Sequence, residues 1–286
     1  MGKYIVVTGT STGIGYAIAQ DLLRQGYHVF GSVRKPEDGE RLQDELGSEF
    51  FTPLLFDVTD SQAIHAAAEQ VAQRVGDQGL AGLVNNAGIV VPGPIQHVTL
   101  DEVRQQFEVN VIGVIAVTQT FLPLLGARHP CPHPPGRIVN ISSVSGRMAY
   151  PFLGLYAASK HALEAINDSL RRELMLYGID VISIQPGTIR TNIWRKAEAV
   201  DLERLAQTDY YPIAKRMAAY SLSMGKNARS PEVVAERVRY ALEASHPRPH
   251  LALPDSAIGW WIMRALPVRW LDWGMAQRLG IKRLGD

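Results

Sequence analysis

The strongest constraint in this chain is an alternation. Up to about residue 185, short runs of β-branched and other apolar residues take turns with longer stretches of helical period. Ile5-Val6-Val7 leads into a helix through Ala17-Ile18-Ala19 and Leu22-Leu23 that stops near Gly26. His28-Val29-Phe30 is a second strand, followed by a polar helix from Pro36 to Leu46. A third run, Phe50 to Phe56, precedes an Ala-rich helix with Asp60 or Ser61 as its N-cap. Leu80 to Asn85, Arg137 to Ser142 and Ile179 to Gln185 are three more strands, with long helices at about 101–125 and 154–177 between them. Strands that are apolar on both faces and separated by helices specify a parallel sheet covered on both sides. The expected fold is a single doubly wound α/β sheet.

Composition removes whole classes of function. The 29 Lys+Arg nearly balance the 28 Asp+Glu, and proteins that track nucleic-acid phosphates carry a clear basic excess, so nucleic acid is not an expected partner. Cys131 is the only cysteine; no internal disulfide can form, which fits a reducing, cytoplasmic setting. A strand-like run starts at Lys3, so no leader peptide is expected. No stretch of about 20 residues is both apolar and uncharged, so no membrane span is expected. His129-Pro130-Cys131-Pro132-His133 superficially suggests a metal site. Alternating prolines hold it extended and no fourth ligand is near, so no metal is expected there.

Between the first strand and the first helix lies Thr8-Gly9-Thr10-Ser11-Thr12-Gly13-Ile14-Gly15. Glycines here allow a tight turn and let backbone N–H groups approach a pyrophosphate at a helix N-terminus. The spacing is Gly-x-x-x-Gly-x-Gly, and a ligand-free glycine turn would look the same. Gly9 to Gly13 also spells Gly-x-Ser-x-Gly, the nucleophile elbow of α/β-hydrolases, with Ser11 as nucleophile. That elbow normally follows a central strand, whereas this one follows the first. His246 or His250 would have to serve as its base, with no clear orienting acid before them. A nucleotide-hydrolase loop needs a Gly-Lys-Ser/Thr ending, which is absent.

Tyr156-Ala157-Ala158-Ser159-Lys160 opens the helix that runs to about Tyr177. Positions i and i+4 share one helical face, so a phenol and an ammonium can point into one site. A nearby cation favours the phenolate, and a phenol tuned that way can exchange a proton with an alcohol or carbonyl oxygen. Alone the pair is common by chance. It is preceded, however, by Ser143 at the end of a strand, by Asn110 in Val109-Asn110-Val111, and by Asn85-Asn86-Ala87-Gly88 after another strand. Taken in order with the glycine loop and Pro186-Gly187, these motifs resemble the short-chain dehydrogenase/reductase family over roughly residues 3 to 192. The retinol or steroid dehydrogenase and carbonyl reductase branches are the ones it looks like.

The resemblance implies a Rossmann-type sheet and an oxidoreductase that moves a hydride between a nicotinamide cofactor and an alcohol or ketone. Tyr156 would be the acid/base, and Lys160 would lower its pKa and hold the nicotinamide ribose. Ser143, rather than Ser142, would bind the substrate oxygen, and Asn110 would carry a water linking Lys160 to solvent. Gly9, Ser11, Thr12, Gly13, Ile14 and Gly15 would cradle the pyrophosphate. Asp57 and Val58 would meet the adenine, Asn86, Ala87 and Gly88 the adenine ribose, and Pro186, Gly187, Ile189 and Thr191 the carboxamide. The second strand ends Val33-Arg34-Lys35. Val33 stands where an NAD enzyme would carry an acid, and Arg34 can pair with a 2′-phosphate, which favours NADP(H) over NAD(H). Glu37 and Asp38 nearby are the counter-argument.

On this reading residues 1–254 form the cofactor and catalytic domain, with substrate recognition at about 191–229. Trp194, Tyr210, Tyr211, Met217, Tyr220 and Met224 supply apolar bulk there, which suggests a bulky apolar secondary alcohol or ketone of retinoid, steroid or long-chain type. Residues 255–286 form a helical apolar extension with four of the five tryptophans, read as packed on the domain or on a partner subunit. A peripheral membrane contact is the other use of such a tail. By family analogy the helices at 101–125 and 154–177 would build a homodimer or homotetramer. The alternatives are an NAD-dependent relative acting on a smaller alcohol, a regulator that binds the dinucleotide without turnover, and the Ser11 hydrolase.

Overall fold

The structure is a computed structural model that describes residues 4–47, 49–191, 202–226 and 228–282. Seven parallel strands form one sheet: β1 Tyr4–Val7, β2 His28–Val33, β3 Phe51–Leu55, β4 Gly82–Asn85, β5 Arg137–Ile141, β6 Asp180–Pro186 and β7 His250–Leu253. Their order is β3-β2-β1-β4-β5-β6-β7. The chain therefore builds outward from β1 in one direction, then crosses back and builds in the other. Loops leaving the ends of β1 and β4 diverge at that reversal and open a crevice, where ligands of such sheets bind.

Side chains alternate across each strand, so one sheet makes two cores. Ile5, Val7, Val84, Val139, Ile182 and Ile184 point to one face, where they meet Ile18 and Leu22 of α1 (Gly13–Arg24) and Val234 and Val238 of a later helix. Val6, Leu83, Ile138 and Val181 point to the other, against Ile64 and Val71 of α3 (Ser61–Val75) and Val117 and Phe121. Asp60, not Ser61, caps α3, accepting from the N–H groups of Gln62 and Ala63. The polar α2 (Pro36–Leu46) lies between β2 and β3. β3 tolerates Pro53 because it is a sheet edge, where a missing N–H breaks no ladder.

The helix expected at 101–125 is not uniform. It runs as α4 (Leu100–Phe107), a π-helical turn over Glu108–Ile112, α5 (Gly113–Phe121), and a tight final turn to Leu125. At Gly113 a Cβ would stand 2.8 Å from the Val58 carbonyl oxygen, so α5 packs there without a side chain. By length and composition Leu100–Leu125 is apolar enough to cross a membrane, which corrects the expectation that no such stretch exists. In this fold Val117, Phe121 and Leu125 fill the core instead.

The next helices are α6 (Gly154–Glu173), the single turn α7 (Leu202–Leu205), α8 (Tyr211–Lys226) and α9 (Glu232–Glu243). β7 was not foreseen. Its four residues sit among Pro247, Pro249 and Pro254, which hid a strand signal, and it pairs with β6 through Pro186↔Leu253. That pairing places Pro254 and Asp255 beside the end of β6. The tail then forms α10 (Ala257–Ala265), capped by Ser256, and α11 (Val268–Leu279) after Pro267.

Between Gly126 and Gly136, His133 packs its ring over Gly79, and the Cys131 thiol donates to the His133 carbonyl at 3.2 Å. These groups hold the loop together.

Candidate active site

The glycine loop is tied down by side chains from three strands. The Thr8 hydroxyl accepts from the N–H groups of Asn86 (2.9 Å) and Ala87 (3.0 Å). The Asn86 amide donates back to the carbonyls of Thr8 and Gly9, and Gly9 N–H donates to Ser32 Oγ at 2.9 Å. Arg41 donates to the Ser11 carbonyl at 2.8 Å. Gly13 is held at φ 61°, and a Cβ there would lie 3.3 Å from Thr191 Cγ2, so the loop after β6 closes over the glycine loop. Thr12, the N-cap of α1, makes no side-chain cap, which leaves the first N–H groups of that helix for another acceptor. Free helix donors behind a glycine-bearing turn fit a pyrophosphate.

At the far end of the crevice stand the groups that can move a proton. β5 delivers Ser142 and Ser143. The Ser143 hydroxyl shares the cleft with the Tyr156 phenol, donates to the Pro186 carbonyl at 3.5 Å and accepts from Ser145 N–H at 3.0 Å. Ser142 Oγ is buried with no hydrogen-bond partner, so geometry selects Ser143 of the two. Lys160, one turn along α6 from Tyr156, is buried and donates to the Ile141 carbonyl at 2.8 Å. Its Nζ lies 5.9 Å from the centre of the Tyr156 ring.

The expected acidic phenol is not what the ligand-free site provides. Burial pushes the Tyr156 pKa up, opposed only by the hydrogen bond from Ser143. Burial acts on the lysine too, pushing Lys160 down to about 8, with the Glu164 carboxylate one turn further along resisting the shift. Desolvation taxes both charged forms. The sign follows for stability. Between the ordinary lysine range and about pH 8 the unfolded chain binds a proton that the folded chain does not, so this residue lowers stability as pH falls through that window. In protein carrying ¹³C-labelled lysine, one amine is expected to titrate near 8 by NMR. Glu164→Gln should move that midpoint lower. A Lys160 signal titrating in the ordinary range, about 10.4, would contradict the burial argument.

Asn110 sits in the π-helical turn and is fully buried. Its Oδ1 accepts from Ile89 N–H at 2.9 Å, and its Nδ2 donates to the Ile89 carbonyl (3.0 Å) and to Ser159 Oγ (3.1 Å). It therefore clamps the segment after β4. A Cβ on Gly88 would lie 3.3 Å from Asn110 Oδ1 and 3.8 Å from Lys160 Nζ, which makes the three neighbours.

One cleft of about 480 Å³ joins the two ends. Gly9, Ser11, Thr12, Gly13, Ile14, Arg34, Asp57, Val58, Asn86, Ala87, Gly88, Ser143, Tyr156, Lys160, Pro186, Gly187, Ile189 and Thr191 all line it. Asn110 and Gly15 stand behind it. Arg34 is largely exposed, its Nη1 3.9 Å from Asp57 Oδ2, while Val33 before it is buried. Arg41 is committed to Asp38, Glu45 and Ser11. No histidine lines the cleft among the described residues. His250 is held by Glu164 and Asp168, at 3.4 and 3.2 Å. Among the described residues no histidine base stands beside Ser11, and the hydrolase reading fails.

The apolar end differs from expectation. Met217 and Tyr220 reach it, joined by Tyr150, Leu153, Trp260 and Met263. Tyr210 packs instead on His97 and Phe152, and Tyr211 lies under Lys215. Trp194 and the Met224 side chain lie outside the described residues. Three anchors were missed: Thr8, Ser32 and Asp255. Asp255 accepts from Thr188 N–H (2.9 Å) and hydroxyl (2.8 Å), pinning the loop after β6 to the end of β7. A small polar residue at the end of each inner strand was the available signal for the first two.

With this geometry in place, comparison with known proteins gives one answer. The model of the short chain dehydrogenase family matches residues 3–201. The chain belongs to that family, and is an oxidoreductase on a Rossmann-type sheet. It is 43% identical to an NADPH-dependent 3-dehydrocapnine reductase of Ornithobacterium rhinotracheale, over 94% of this chain and 95% of that protein. It is 35% identical to the 17-beta-hydroxysteroid dehydrogenase type 6 of Bos taurus, over 86% and 78% of the two chains. A crystal structure of a short-chain dehydrogenase from Streptomyces avermitilis superposes with a TM-score of 0.74 at 28% identity, covering 99% of each chain.

Proposed function

We propose that this protein is an NADP(H)-dependent oxidoreductase that interconverts a bulky, apolar secondary alcohol and its ketone, with Tyr156 as acid/base. The observation that carries the reading is the convergence of Ser143, at the end of β5, with Tyr156 and Lys160 of α6 in a cleft whose opposite end is the glycine cradle. The bound cofactor would supply or accept the hydride. The chain's own residues handle the proton. A phenol held neutral by burial is a proton donor suited to carbonyl reduction, and Ser143 is placed to donate a second hydrogen bond to the developing alkoxide. Lys160 holds positive charge behind the phenol, and Asn110 fixes the segment on which Gly88 and Ile89 sit.

Arg34 is the group that supports NADP(H) over NAD(H). It lines the cleft, has solvent on one side, and is only loosely paired with Asp57 at 3.9 Å, so it is free to meet a 2′-phosphate. The NADPH dependence of the 43% identical relative points the same way. Removing a charge-assisted hydrogen bond costs about 1.5–3 kcal/mol, or roughly 10–100-fold. Arg34→Ala is therefore expected to weaken NADPH binding by that factor and leave NADH binding nearly unchanged, measured by fluorescence titration. Equal losses for both cofactors would reject the assignment.

The apolar end of the cleft, walled by Leu153, Met217, Tyr220, Trp260 and Met263, supports the lipophilic substrate. Reduced-nicotinamide absorbance followed over steroid, retinoid, long-chain and short polar ketones tests it, and a preference for the short polar ones would refute it. The exposed Ile112, in the turn between α4 and α5, and Met175 and Leu176, just past the end of α6, support a homodimer through that side of the molecule. The lone thiol of Cys131 suits a reducing, cytoplasmic setting.

A further inference from the structure

The tail divides its side chains between two surfaces. On α10, Gly259, Trp260 and Met263 turn inward and wall the cleft, and Trp260 is only 5% exposed. Ile258, Trp261, Ile262 and Ala265 fall at i, i+3, i+4 and i+7, a stripe on the opposite side of the same helix. Trp261 is 69% exposed there, and Trp270 and Trp273, three apart on α11, are each 68% exposed. Ile258, Ile262 and Val268 are exposed on the same two helices. Elsewhere among the described residues, tryptophan does not occur. A soluble surface rarely gathers so many large apolar groups within 25 residues without a use for them.

The charges say what covers this surface. Residues 257–282 carry Arg264, Arg269, Arg278 and Lys282 against Asp272 alone. None of the three arginines is in an ion pair among the described residues. Arg264 lies over the rings of Trp260 and Trp261, at 5.7 and 5.8 Å, and Arg278 over Tyr220 at 4.3 Å. Arg278 lines the cleft with Tyr220, but Arg264 against the exposed Trp261, with Arg269 and Lys282 on the same two-helix tail, suits a boundary that is apolar below and anionic above. A self-complementary interface would set these like charges against each other, since each copy brings the same excess.

We propose that the outer faces of α10 and α11 dock on the surface of an anionic bilayer, without crossing it. Because α10 is at once the docking face and a wall of the cleft, docking would place the cleft beside the lipid phase. On the proposed function, that is the route by which a lipophilic ketone enters.

The test is flotation of the full-length protein with vesicles of phosphatidylcholine, alone or mixed with phosphatidylglycerol. The protein is expected to float with the mixed vesicles and much less with the neutral ones, and raised salt should weaken the attachment. Trp270→Ser combined with Trp273→Ser should cut binding by about tenfold or more. These side chains do not line the cleft, so turnover of a water-soluble ketone should persist in the double variant. Brominated lipid should quench the wild-type tryptophan emission. The proposal is overturned if no vesicle binds, if the double variant floats as well as wild type, or if Trp261→Glu turns a dimer into a monomer with no flotation in either form. Flotation needs no turnover, so its failure would leave the oxidoreductase reading standing, and an inactive enzyme that still floats would do the reverse.

Discussion

Replacing Tyr156 by Phe is expected to reduce ketone reduction by about 10²–10⁴-fold while leaving the fold and cofactor binding in place. The change deletes one hydroxyl. Ser143 still donates to the Pro186 carbonyl and accepts from Ser145 N–H, and Lys160 still donates to the Ile141 carbonyl, so neither is stranded. The ring keeps its volume against its neighbours, so the melting temperature should shift little. What disappears is the neutral phenol that the proposed function assigns as proton donor. Steady-state assays at saturating NADPH, with binding measured separately, check this. Wild-type turnover in the variant would remove both the residue assignment and the proposed reaction.

Gly15→Ala is expected to be the most damaging small change in the chain. A Cβ at this position would stand 2.1 Å from the Gly9 carbonyl oxygen and 2.5 Å from Asn86 Nδ2. The first neighbour is backbone and cannot swing away, and the second belongs to the amide that bridges Thr8 and Gly9. To admit one methyl group, α1 must lift from β1 or the glycine loop must open. Overpacking of this kind costs about 1–3 kcal/mol or more, which at this chain length is roughly 2–6 °C in melting temperature. Cofactor affinity should fall as well, because the same loop carries the N–H groups. Gly274→Ala is the matched control: it lies in α11 with no atom within 4 Å, and should be neutral or slightly stabilising. Equal melting temperatures for the two variants would show that the close approach is not constraining.

The double winding, six of the seven strands and the main helices were legible because they rest on short-range patterns. Apolar runs, an Asp-Ser pair at a cap and Gly at a turn announce themselves within a few residues, though only the structure chose Asp60 over Ser61. β7 was not legible. Its four residues are flanked by prolines, and they form a strand only because β6 offers an edge at Pro186. The break in the long helix at Glu108–Ile112 was equally hidden, since Val-Asn-Val-Ile fits helical period. Most of the site was readable as motifs in order. Its anchors were not: Thr8, Ser32 and Asp255 act on residues tens of positions away. A buried chain of amides was missed too, in which Asn85 donates to Asn140 and Asn140 to Asn167, tying β4, β5 and α6 together beneath the site.

The sequence by itself determined that a phenol and an amine share a helical face one turn apart, after a glycine turn and a strand-end serine. Helical pitch and strand alternation are local geometry, and nothing distant can change them. Only the tertiary structure decided the state of those groups. Lys160 is pushed down, and Tyr156 up, by the protein packed around them, and Glu164 and Ser143 correct each in turn. It also decided that Trp260 is a wall while Trp261 is a surface. Solvation depends on everything within several ångströms, and those atoms come from every part of the chain.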